Sequence, residues 1–196
     1  TNYNDSEKVF AVSATGSASV NPELLKPSAF TNGTARISII DKVAGTVRLS
    51  IAEPGAVIRS ISKDIRIAPD RLNSFSLRGP GSLQVQAGTR FEIEMIAKDM
   101  HGNTITEPIN GKGVSLTFKG EAEPKLDMGS IPDFINGMSF LRLVSNKAGT
   151  FVLEARDVAT GSVGFSDTIE VINAPLHSFK IFTPLSVSAG DPFEAS

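Results

Sequence analysis

Apolar and polar side chains alternate along much of this chain. In "FEIEMIAKD", residues 91–99, Phe91, Ile93, Met95 and Ala97 share one face, and Glu92, Glu94 and Lys98 share the other. A period of two is the mark of a half-buried strand. Val114, Leu116 and Phe118 alternate with Ser115 and Thr117, and Phe151, Leu153 and Ala155 alternate with Val152, Glu154 and Arg156. Val47, Leu49 and Ile51 repeat the pattern earlier. No stretch shows the 3.6-residue period of an amphipathic helix. The turn signals "RGPGS", "MHGN", "INGKG", "INGM", "NKAG" and "ATGS" punctuate the runs. Together they predict about seven strands, at roughly 83–87, 91–98, 104–109, 114–119, 138–144, 150–156 and 163–172.

The pattern also repeats over a longer distance. Ala44-Gly45-Thr46 returns as Ala148-Gly149-Thr150, 104 positions later. "FTNG" at 30–33 meets "FING" at 134–137, Gly16 meets Gly120, Ile65 meets Ile169, and "LNSF" at 72–75 meets "LHSF" at 176–179. Near residues 87–89 and 189–191 the shift becomes 102, and Phe91 then meets Phe193. One offset held over separated landmarks identifies a tandem repeat. An even offset keeps every inward residue inward. Residues 70–174 read as one full copy, residues 1–69 as the later two thirds of a copy, and residues 175–196 as the opening strands of another. The boundaries fall at Pro69-Asp70 and Ala174-Pro175, where proline interrupts strand pairing. The partial copies raise the alternatives that parent chain completes them or that strands exchange between molecules.

Seven short strands in about 100 residues indicate an immunoglobulin-like β-sandwich. The fold class expected is therefore all-β, with tandem immunoglobulin-like β-sandwich modules at a repeat of about 104 residues. "AGTRFEIEMIAKDMHGN", residues 87–103, resembles the second-strand signature of bacterial Ig-like (Big) repeats of the invasin/intimin type, in which the strand ends in Ala-x-Asp-x-x-Gly-Asn. Here that motif is Ala97, Asp99, Gly102 and Asn103. "AGTFVLEARDVATG", residues 148–161, is similar to the sixth-strand motif of the same repeats. The resemblance implies the stalk of an adhesin or a surface-layer protein. A Cys-bearing, lectin-like adhesin tip has no counterpart in these residues.

Physically, Gly102 suits a positive φ in the turn, and Asp99 and Asn103 can accept backbone N–H bonds there. A turn cap is the preferred reading of Asp99, with a cation ligand as the alternative. The acidic "GEAEPKLD", residues 120–127, reads as a solvated loop with Ca²⁺ binding as its alternative; no other cofactor is expected. His101 and His177 do not occupy corresponding repeat positions and have no ligand-spaced neighbours. No Gly-x-Ser-x-Gly elbow or phosphate loop occurs, and Glu92 and Glu94 read as a soluble strand face. The absence of Cys excludes disulfides, thiolate metal sites and a cysteine nucleophile. These readings point away from an enzyme.

The net charge of −2 comes with scattered Lys and Arg, so no basic stripe is present to bind nucleic acid. No apolar run is long enough to span a membrane. The N-terminus lacks a signal-peptide pattern, as suits a protein that is not secreted, a mature chain or an internal fragment. The sequons Asn4-Asp5-Ser6 and Asn32-Gly33-Thr34 mark candidate glycosylation sites at Asn4 and Asn32. With one Tyr, no Trp and most of the 12 Phe at inward positions, sugar stacking is disfavoured. The expected role is a structural array in a prokaryotic surface layer, extracellular and self-associating through neighbouring modules or copies. The alternatives are an adhesin stalk or binding module meeting a host receptor or an envelope polymer, an accessory region of a secreted enzyme, and a cytoplasmic filament cross-linker with Ig repeats.

Overall fold

A computed structural model of the chain describes residues 8–55, 59–178 and 180–195. Asn4 lies outside them, as does Phe179. The described residues form two β-structures in succession. The first holds β1 (Phe10–Ala14), β2 (Ser19–Asn21), β3 (Leu24–Leu25), β4 (Ser38–Ile40), β5 (Gly45–Val47), β6 (Leu49–Ala52), β7 (Arg59–Ile61) and β8 (Ile65–Ile67). The second holds β9 (Ser74–Arg78), β10 (Gln84–Gln86), β11 (Arg90–Lys98), β12 (Val114–Gly120), β13 (Lys125–Leu126), β14 (Met138–Val144), β15 (Gly149–Asp157), β16 (Val163–Phe165) and β17 (Ile169–Ile172). The only helical pieces among the described residues are two 3-10 turns, at Pro27–Ala29 and Gly111–Gly113.

The second structure is a filled all-β sandwich. One layer runs β9–β11–β14–β13. The other centres on β15, which pairs with β12 along one edge and with β16 and β17 along the other. The inward faces are those of the alternating pattern. Ile93, Met95 and Ala97 of β11 and Leu153 and Ala155 of β15 are buried. The rings of Phe91 and Phe151 meet across the layers at 6.1 Å, and Phe75 stacks on Phe134 at 5.6 Å. No disulfide is available, so this apolar seam holds the layers together, each buried aliphatic or Phe side chain contributing roughly 1.5–3 kcal/mol.

Strand pairing recurs with the sequence. Gly45 pairs with Ile67 and Gly149 with Val171; Val12 pairs with Ile51 and Leu116 with Ala155; Ser50 pairs with Ile61 and Glu154 with Phe165. In each case the second pair lies 104 positions after the first. Small devices recur too. The Ser62 hydroxyl accepts from the Leu49 amide at 2.8 Å, and the Ser166 hydroxyl from the Leu153 amide at 2.9 Å. Asn32-Gly33 and Asn136-Gly137 both take positive φ (51° and 77°; 51° and 79°), the backbone of a two-residue hairpin turn.

Three strand expectations need correction. Residues 104–109 form no strand: Thr104 and Ile109 make isolated bridges only, and Pro108 has no N–H to extend a ladder. Residues 163–172 are two strands, parted where the Ser166 side chain takes over a backbone partner. Strands β9 and β13 are additional to the predicted set. In residues 175–195, expected to open a further module, no described residue is in a strand. The corresponding opening strand β9 is held between β11 and β16, and among the described residues no strand lies against 175–195 in that way.

Gly164 of β16 lies against β9 so closely that a Cβ would come within 2.0 Å of the Phe75 carbonyl oxygen. The equivalent position in the first structure is the exposed Ser60, and among the described residues no counterpart of β9 pairs beside it. Gly164→Ala is expected to destabilise the larger sandwich by about 1–3 kcal/mol, as overpacking does. Ser60→Ala should change stability by less than about 0.5 kcal/mol. Scanning calorimetry of the two variants checks the contrast.

Candidate functional site, the turn that joins the two structures

Strand β11 ends in Ala97-Lys98, and the chain turns through Asp99-Met100-His101-Gly102-Asn103. Gly102 has φ +85° with open space around its Cα, so backbone conformation alone requires glycine there. Asp99 is buried. Its Oδ1 accepts from the amides of His101 and Asn103, both at 2.8 Å. Its Oδ2 accepts from the Asn103 side-chain amide at 2.8 Å and from the Asp70 amide at 3.0 Å. The turn, its closing residue and the segment entering the larger sandwich therefore converge on one carboxylate. Burial opposes ionisation. Hydrogen bonds from the Asn103 side chain and from the Asp70, Asn103 and His101 amides outweigh it and lower the carboxyl from its ordinary 3.8 to about 2.

Asn103 then reaches out of its own sandwich. Its Oδ1 accepts from the Ala44 amide and its Nδ2 donates to the Lys42 carbonyl, both at 2.9 Å. A side-chain amide has one acceptor and one donor end, so it can bridge a carbonyl and an amide two residues apart. The Lys42–Ala44 segment is presented by a turn in which Asp41 Oδ1 accepts from the Val43 amide. Beside this contact lies a cleft of about 410 Å³ between Ala44–Thr46, Arg66–Ile67 and Pro69 on one side and Asn103, Thr104 and Thr106 on the other.

The structure thus brings together Asp99, Gly102 and Asn103. The reach of Asn103 to Lys42 and Ala44 is not readable from the motif, whose residues look sufficient to cap their own turn. The one available signal is that Ala44 belongs to the repeated Ala-Gly-Thr. His101 is exposed on the turn and His177 is exposed far along the chain. Asn32 is exposed at the tip of its hairpin. The acids of 120–127 are dispersed: Glu123 pairs with Lys147 at 2.7 Å and Asp127 with Arg90 at 2.6 Å. Both Asp99 oxygens already hold two hydrogen bonds each, so a cation there would have to displace amide donors. Among the described residues no group of three or more His, Cys, Asp or Glu is placed to hold a metal ion, and no helix is long and apolar enough to cross a membrane. Most described Phe are buried or half-buried, but Phe140 and Phe165 are exposed on the larger sandwich.

No protein-family model matches the chain, and no curated protein matches it. Among solved structures it is similar to the D00-D0 domain of intimin, at 12% identity and a TM-score of 0.45, covering 86% of this chain and 88% of that one. It is similar to domains 5–6 of the S-layer protein SbsC, at 14% identity and a TM-score of 0.39, covering 85% and 81%. It is also similar to invasin, a bacterial integrin-binding protein, at 19% identity and a TM-score of 0.39, covering 90% of this chain and 35% of that one. At these scores the likenesses carry no functional argument for this chain.

Two outcomes test the site. Asn103→Ala removes three hydrogen bonds and should cost about 1–3 kcal/mol, with the Ala44 amide exchanging faster with solvent by NMR. The pH dependence follows from Asp99. A carboxyl whose folded value is about 2 against an ordinary 3.8 contributes stability above pH 3.8 that is lost as pH falls toward 2. In Asp99→Asn that acid-sensitive part should be absent, and stability at neutral pH lower, because an amide nitrogen then faces donors. Thermal melts of both proteins between pH 2 and 7 check the sign.

Proposed function

We propose that this chain is a run of Ig-like modules in a prokaryotic cell-surface protein, with divisions at Pro69-Asp70 and Ala174-Pro175, and that its work is structural. The reading goes further: the parent protein is a self-assembling surface-layer component, outside the cell, not an enzyme, and without a resident metal. The observation that carries the structural part is the junction. Two β-structures with the same strand register are tied by side-chain bonds from Asn103 to Lys42 and Ala44, and Asp99 holds the Asp70 amide where the chain enters the larger sandwich. A linker held in this way transmits orientation from one module to the next. That is what a spacer or lattice element needs, and what independent binding domains on free linkers do without. The surface-layer reading also agrees with the mildly acidic balance and the absence of Cys.

Electron microscopy of the purified parent protein, with and without millimolar Ca²⁺, tests the reading. Ordered two-dimensional sheets in both conditions are the expected result. Dispersed rods would replace the lattice with an adhesin stalk, and loss of order on Ca²⁺ removal would overturn the metal-free part. Protease digestion of intact cells should remove the protein; full protection would contradict the surface location.

A further inference from the structure

The half of the junction supplied by the first structure is built twice. At the first, Asp41 Oδ1 accepts from the Val43 amide at 2.9 Å; 104 positions later Ser145 Oγ accepts from the Lys147 amide at 3.3 Å. Each turn leads into a strand of the same register, Gly45 opposite Ile67 and Thr46 opposite Arg66, then Gly149 opposite Val171 and Thr150 opposite Glu170. On this side the observed junction cleft is lined by Ala44, Gly45, Thr46, Arg66, Ile67 and Pro69. A second cleft, of about 380 Å³, lies at the far end of the larger sandwich. Its lining includes Ala148, Gly149, Thr150, Glu170, Val171 and Asn173, the same six positions shifted by 104. In the first cleft Asn103 bridges the Lys42 carbonyl and the Ala44 amide. In the second, the matching groups are the Asn146 carbonyl and the Ala148 amide, and neither has a hydrogen-bond partner among the described residues.

We propose that this second cleft is a docking surface for the Asp-x-x-Gly-Asn turn of a further Ig-like module, whose Asn bridges the Asn146 carbonyl and the Ala148 amide as Asn103 bridges Lys42 and Ala44. The inference rests on the module-array reading and names the contact that would propagate it. The occupant's chemistry is constrained further. Glu170 stands where the first cleft has Arg66, and Glu121 lines the same cleft. The docking turn is therefore one flanked by hydroxyl or basic side chains, as Lys98 and Thr104 flank the turn of this chain. A second molecule's Asp99 turn is not free to serve, since its Asn103 is already engaged within its own chain.

The test is a chain of residues 1–173 followed by a second copy of residues 70–174, so that Asn173-Asp70 reproduces the Pro69-Asp70 connection. The added copy carries a complete core, because the buried cluster of the larger sandwich draws only on residues of that span. Amide exchange read by NMR should show the Ala148 N–H about tenfold slower than in the 196-residue chain, the scale of one net hydrogen bond. Asn103→Ala in the added copy alone should restore fast exchange at Ala148 and leave Ala44 protected. Unchanged exchange at Ala148 would overturn the proposal, and small-angle scattering separates the two ways of failing. A stiff three-body particle would leave the array reading standing with a different contact, whereas a freely tumbling third body would remove both.

Discussion

A carboxylate with both oxygens fully engaged sits where the two β-structures meet. Taking Asp99 out of water is costly unless its lone pairs are satisfied, and four donors satisfy them. Those donors come from three places: the turn amides, the Asn103 side chain and the entering Asp70 amide. None can move without exposing the carboxylate to an unmet bond. The turn thus fixes Asn103, Asn103 fixes the Lys42–Ala44 segment, and Asp70 fixes the path between the structures. The local rule for capping a turn becomes a rule for orienting neighbouring modules.

The apolar seam does a different job. In the larger sandwich the faces of β11 and β15 close on each other, and Ile93, Met95, Leu153 and Ala155 are shielded from water. In the first structure only Val12, Leu25 and Val47 are buried among the described apolar residues. Phe10 and Phe30 touch edge to face at 6.3 Å beside an opening of about 460 Å³ that Leu25 and Ile51 also line. The corresponding face of the larger sandwich is covered by β9 and β11. Registers can therefore agree pair for pair while burial differs, because register is set by the strands present and burial by what lies across from them.

Much of the strand content was legible because the alternation is strong where one face is buried. β11, β12 and β15 show it in Phe91 to Ala97, Val114 to Phe118 and Phe151 to Ala155. Residues 104–109 look like a strand because Ile105 and Ile109 are apolar, yet the Ile105 side chain packs in the core while its amide makes one isolated bond to the Ala97 carbonyl, and Pro108 stops the ladder. Phe75 and Leu77 of β9 alternate with Ser74 and Ser76, but over only five residues, too short a run to stand out as a strand. The candidate site was half legible. Asp99, Gly102 and Asn103 name a turn, but the partners of Asn103 lie 59 and 61 residues away, and no local pattern reports a contact at that range.

A repeated register joined through a repeated turn has a mechanical consequence. Each module contributes its own packing, and each junction adds a nearest-neighbour term, so the stability of an array approaches a sum of the two. The junction term is built from a few polar bonds at a half-exposed cleft and is small beside the seam of buried Phe, Ile and Leu. The few bonds of the junction are therefore the weaker link beside the buried cluster of the larger sandwich. Protonating Asp99 turns one acceptor oxygen into a donor, so it weakens the bonds that the Asn103 side chain and the Asp70 amide make to it.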